Sequence, residues 1–146
     1  MYKRQELGHT EAFELSSRYL AFIAYAFNPD TGRFRNFMDY RRQWLEDNGS
    51  DDSHGRTLWA LGTVLGRSNT PALQQIAGWL FEQALPAITD TTSPRAWAFA
   101  ILGFHDYLRR FAGDRHVGQV RDELAGRLLA LYRQCCDCLL YTSRCV

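Results

Sequence analysis

Cysteine is missing from residues 1–134; all four cysteines stand in the closing stretch CCDCLLYTSRCV. A disulfide framework suits small secreted chains. The N-terminus here lacks the charged segment, apolar core and small-residue cleavage site of a secretory leader, so the expected compartment is the cytoplasm. Cys135-x-x-Cys138 has the spacing of a zinc knuckle, but a tetrahedral site needs a second ligand pair. His9, His54, His105 and His116 are scattered and supply none. A thioredoxin-like pair would open a helix after a strand, whereas this one follows a long helical pattern. No metal and no cofactor is expected. Long apolar runs are also missing: YLAFIAYAF and AWAFAILGF fall far short of the ~20 residues of a membrane span. There is no basic excess either. The formal charge is +1, which argues against nucleic acid as a partner. No glycine-rich phosphate loop is present, so any nucleotide site must lie elsewhere.

The two ends carry a further signal. Back-translated, residues 138–146 resemble the transposase mosaic end of sequencing libraries running into its own reverse complement. MYKRQ resembles the inward-facing end of the same element. The resemblance implies that residues 1–5 and 138–146 are adapter-derived and that residues 6–137 are an internal piece of a longer protein. Different codons in the source nucleotide sequence would refute this. Without Lys3, Arg4 and Arg144 the balance is 14 basic against 16 acidic residues.

What the chain does contain is helical periodicity nearly throughout. A first helix is expected from about Thr10 to Phe27, stopped by the turn residues NPDTG, with RFRNFM as a short extended segment or loop. A second starts near Asp51–Ser53 and ends on Gly66 as a C-terminal cap. A third starts at Thr70-Pro71, with Leu73, Ile76, Leu80, Ala84 and Ile88 as its stripe. A fourth starts at Ser93-Pro94; Ala96–Phe104 is apolar on all sides and is expected to be buried all round. A fifth follows Asp114, with Val117, Val120, Leu124, Leu128 and Leu131 on one face. LWALGTVLG and AFAILGFHDYL form a weak repeat that sets Gly62 and Gly103 41 positions apart. That is the period of stacked helical hairpins. The second and fourth helices would be the inner layer, the third and fifth the outer.

Chemistry concentrates in FRNFMDYRRQWLEDNGSDDSHGRTLWALG. Asp39, Tyr40, Arg41, Arg42, Trp44, Asp51, Asp52, Ser53, His54, Arg56 and Trp59 fall within one loop and one helix start. Sugars need this mixture: carboxylates and guanidiniums bond paired hydroxyls, indole rings cover the apolar sugar face, and glycoside chemistry adds two carboxyls. Each residue also has a plainer reading. Asp51, Asp52 and Ser53 are ordinary helix starters. Trp59 reads as core. Trp44, in a loop, is the more informative aromatic. Arg41 and Arg42 make a solvated charge pair. Arg56 sits in a first turn against the preference there for acids, with Asp52 as its natural partner. His54 reads as a surface residue, and His105-Asp106 as structural. If the second and fourth helices share a rim, Ser93 and Arg95 join the site and Trp97 lies one turn in.

NPDTGRFRNFMDYRRQWLEDNGSDDSHGRTLWALG followed by TSPRAWAFAILGFHDYLRR resembles a bacterial family of α/α-toroid proteins. These are described as glycosyltransferases, or accompany glycosyltransferases and glycan phosphorylases. The resemblance covers nearly all of residues 6–137. It implies an all-α (α/α)6 toroid like that of the six-hairpin glycosidases, with a sugar site in the funnel at one end of the barrel. Asp39, Arg42, Trp44, Asp52, Ser53, Gly55, Arg56, Trp59, Arg95 and Trp97 carry over by motif. In a catalytic reading Asp52 or Asp51 is the acid/base, Arg42 and Arg56 orient it or bind hydroxyls, and Trp44 stacks on the sugar. Tyr40 and His54 complete the lining. The implied partners are an oligosaccharide and a glycosyltransferase domain or protein, with no nucleic acid and no membrane. This piece alone is expected to be inactive. The alternative is a non-catalytic helical-repeat scaffold or interaction domain, with the same segment as a helix-capping joint.

Overall fold

A computed structural model describes the backbone of residues 2–142 and the side chains of residues 11–135. The proposed adapter junctions and the Cys135–Cys138 pair lie in or against the stretches outside the described side chains. The chain is mostly helical. The elements run α1 (Tyr2–Ala26), β1 (Phe27–Asn28), β2 (Arg33–Phe34), α2 (Asp51–Arg67), α3 (Pro71–Ala84), α4 (Pro94–Arg110) and α5 (Arg115–Thr142). Among the described residues no helix is long and apolar enough to cross a membrane.

NPDTG does stop α1, and it does so by reversing the chain. Asn28 Oδ1 accepts the Asp30 amide at 3.1 Å, and Gly32 takes the left-handed φ of +67° that glycine adopts without strain. β1 and β2 then pair antiparallel, Phe27 opposite Phe34. A second, smaller hairpin follows, closed by the Leu45 amide on the Phe37 carbonyl and a bridge between Met38 and Trp44.

α2 is capped by Ser50, whose Oγ accepts the Ser53 amide at 3.2 Å. Gly66 does not end it. The helix runs on to Arg67, and Ser68 is the C-terminal cap. Gly66 is there for space: a Cβ on it would lie 2.1 Å from the Asp106 carbonyl oxygen. Gly62 faces Gly103, and Gly55 faces Ala96, at similarly short range. The internal repeat is therefore a physical crossing. α2 and α4 lie side by side and parallel, in register at the 41-residue offset.

α3 and α5 pack outside this pair. On α3 the buried face is Leu73, Ala77, Leu80, Phe81 and Ala84. Ile76 is 44 % exposed, because the stripe is turned one residue to bring Phe81 edge-on to Phe104 at 5.7 Å. Ile88 is buried, but on a separate 3-10 turn, Pro86–Ile88. α4 is not buried all round. Ala96, Ala100, Gly103, Phe104 and Asp106 face inward, while Ala98 and Leu102 are exposed. α2 and α5 cover two sides of α4, and the face carrying Ala98 and Leu102 is left open. The stripe on α5 holds for Val117, Val120 and Leu124 and fades at Leu128 and Leu131, where α5 outruns the core.

Candidate functional site

A groove runs along the open face of α2, bounded by α1 and the segment after β2 at one end and by α4 at the other. One hollow of about 440 Å³ is lined by Ile23, Asn36, Asp52, Ser53 and Arg56. Another of about 460 Å³ is lined by Arg56, Trp59, Thr63, Arg67 and Asp106. Arg56 and Ala60 belong to both, so the two are continuous along α2.

Helical spacing sets this wall. Asp52, Arg56, Trp59, Thr63 and Arg67 recur every three or four residues and share one face. Gly55, Leu58, Leu61, Gly62 and Leu65 on the opposite side hold α2 to the core. Two ion pairs cross from α2 to α4. Asp52 pairs with Arg95 and also accepts the Ser93 hydroxyl at 3.2 Å. Arg67 donates to Asp106 Oδ1 at 2.8 Å, and Thr63 donates to Asp106 Oδ2 at 3.0 Å. Between them the Arg56 guanidinium lies over Phe99, 5.0 Å from the ring centroid. Trp59 stacks on the same ring at 5.8 Å, with only 10° between the planes, and stays 40 % exposed. Trp59 is thus a groove residue, not core.

Every groove carboxylate is held ionised. The Arg95 hydrogen bond lowers Asp52 below the ordinary aspartate value, against its partial desolvation. The Arg67 bond does the same for Asp106, helped by Thr63. Outside the groove, burial alone would raise Asp51, but the Arg33 bond and the Thr92 and Ser93 amides outweigh it and the net shift is down. The groove therefore offers charged acceptors and donors, and no proton donor among its carboxyls.

The other expected site residues lie elsewhere. Asp51 faces a joint: Oδ1 takes Arg33 Nη2 at 2.6 Å, and Oδ2 takes the Thr92 and Ser93 amides at 2.9 and 3.2 Å. Asp39 closes the tip of the small hairpin, its Oδ1 accepting the Gln43 amide at 2.8 Å. Tyr40 and Arg42 are exposed at that tip, and Arg42 is the one non-glycine residue in the described chain with positive φ, +63°. Trp44 packs against Tyr25 and Phe22 of α1, at 5.3 and 6.2 Å, with Arg35 over its ring. Trp97 points toward α5. Its Nε1 donates to the Thr91 carbonyl and hydroxyl, and Arg127 covers its ring.

His54 is fully buried, not a surface residue. Its position one turn into α2 points it at the end of α3, where Nε2–H donates to the Ala84 carbonyl at 3.1 Å, with Phe34 beside the ring. Burial, with Arg33 nearby, pulls its pKa down to about 4. In the unfolded chain it titrates near 6.5. The unfolded state therefore binds the extra proton between those values, and stability present above pH 6.5 is lost as pH falls toward 4. The loss should reach about 3 kcal/mol. Urea unfolding at pH 7 and pH 4.5 measures it, and His54→Gln should flatten the slope. An unchanged slope in that variant would remove His54 as the cause.

Asp106, Arg67 and Phe99 are site residues that the sequence reading missed. Carrying the 41-residue offset past Gly103 would have set Asp106 beside Leu65 and Gly66. Among the described residues no group of three or more His, Cys, Asp or Glu side chains is placed to hold a metal ion. No family model, curated protein or solved structure matches the chain, so the groove is read from its own geometry.

Proposed function

We propose that the α2–α4 groove binds a saccharide chain, as part of an α/α-toroid domain of a carbohydrate-handling protein. The carrying observation is the half-exposed Trp59 ring, stacked flat on Phe99 and flanked by Arg56 and the Asp52–Arg95 pair. An indole face covers the apolar face of a pyranose, and charged groups on either side bond its hydroxyls. The parallel packing of α2 and α4, with α3 and α5 outside, supports the toroid reading, since inner helices of such a ring run parallel. The expected role is binding and orientation, because the groove carboxyls are ionised. A glycosyltransferase domain or protein is the partner class this reading implies.

The rival, a helical scaffold with this segment as a joint, is favoured by one observation: both Asp51 oxygens are spent on linking β2, α2 and α4. Asp52→Asn separates the two. Asp52 pairs with a largely exposed Arg95, so thermal stability should hardly move. Oligosaccharide affinity, followed by Trp59 fluorescence, should fall by about tenfold for a lost charge-assisted contact. Lost stability with intact binding would favour the scaffold.

A further inference from the structure

The charges in the groove do not balance. Asp52 is matched by Arg95 and Asp106 by Arg67. Arg56 and Arg109 are left over: neither forms an ion pair among the described residues. Arg56 serves the two hollows described above. Arg109 lines a third, of about 450 Å³, which shares Arg67 and Asp106 with the second and so continues the groove. Arg110, beside it, is spent on the Leu65 and Ser68 carbonyls. The carbonyls hold Arg110 in place without matching its charge, so excess positive charge is set at two places along one surface: at Arg56, next to a stacked aromatic pair, and at Arg109 and Arg110.

We infer that the groove selects an acidic oligosaccharide, one carrying carboxylates on sugars several units apart along the chain. This rests on the saccharide reading above. A neutral chain offers Arg56 and Arg109 hydroxyl acceptors but no charge to match theirs. A planar, singly charged carboxylate matches one guanidinium in a two-pronged bond.

The test uses the full chain with three probes: tetragalacturonate, a neutral glucose tetrasaccharide, and glucose 6-phosphate, each titrated by calorimetry at low and high salt. Tetragalacturonate should bind at least about tenfold more tightly than the neutral chain, and the margin should shrink with salt. Arg56→Gln and Arg109→Gln alter exposed side chains, and circular dichroism checks that they fold. Arg109→Gln, away from the Trp59–Phe99 stack, should cut the margin several-fold while leaving neutral-chain affinity within about twofold; Arg56→Gln should weaken both chains, the acidic one several-fold more. Equal binding of acidic and neutral chains overturns the inference and leaves the saccharide reading standing. Tighter binding of glucose 6-phosphate overturns the carboxylate assignment. An acid preference untouched in both variants removes the two arginines as its source. No binding of any probe overturns both readings.

Discussion

Gly62→Ala should destabilise the chain by about 3 kcal/mol, although the added methyl improves helix propensity by roughly 1 kcal/mol. A Cβ at Gly62 would sit 2.2 Å from the Gly103 carbonyl oxygen and 2.8 Å from the Gly103 Cα. Those are backbone atoms on a packed helix and cannot swing aside as a side chain could. Relief requires α2 and α4 to separate, which loosens Leu58, Leu61 and Phe104, all fully buried. Gly118→Ala is the control. It lies in α5 with nothing within 4 Å of the added atom, so propensity alone should act and stability should rise by roughly 0.5–1 kcal/mol. Chemical denaturation of the two variants gives opposite signs if the crossing is as described. Equal and favourable effects would mean that α2 and α4 do not meet there.

Asp51→Ala should cost about 3 kcal/mol, through the partly buried charge it strands and the two amides it uncaps. Arg33 already has a buried Nε with no hydrogen-bond partner, and without Asp51 its guanidinium keeps the Gly49 carbonyl alone. The Thr92 and Ser93 amides at the start of α4 lose their acceptor together. A double-mutant cycle with Arg33→Ala should give a coupling above about 1 kcal/mol. Additive single effects would show that the two side chains do not act as a pair.

Much of the frame could be read from the residues. Ser93-Pro94 opens α4 as expected, its Oγ accepting the Ala96 amide. The 41-residue echo identified the two helices that pack together. What escaped was rotational. Periodicity says that a helix has a face, but the azimuth of α2 is fixed by glycine contacts with a helix 40 residues on. That contact turns Trp59 outward and His54 inward, the reverse of what their types suggest. Gly66 misled for the same reason, because a glycine needed for close approach looks like a glycine needed for a turn. Asp51 and Asp52 are equivalent in sequence, and only the arrival of Arg33 and the α4 start tells joint from groove.

The parallel course of α2 and α4 has one more consequence. Each helix has a dipole equivalent to roughly half a positive charge at its N-terminus and half a negative charge at its C-terminus. In an antiparallel pair these cancel, but here they add. Asp51 and Asp52 answer the positive end, and Arg67, Arg109 and Arg110 the negative one. Left bare, like ends brought together would repel, so the acids at one end and the arginines at the other offset the aligned dipoles and make the close parallel crossing tolerable.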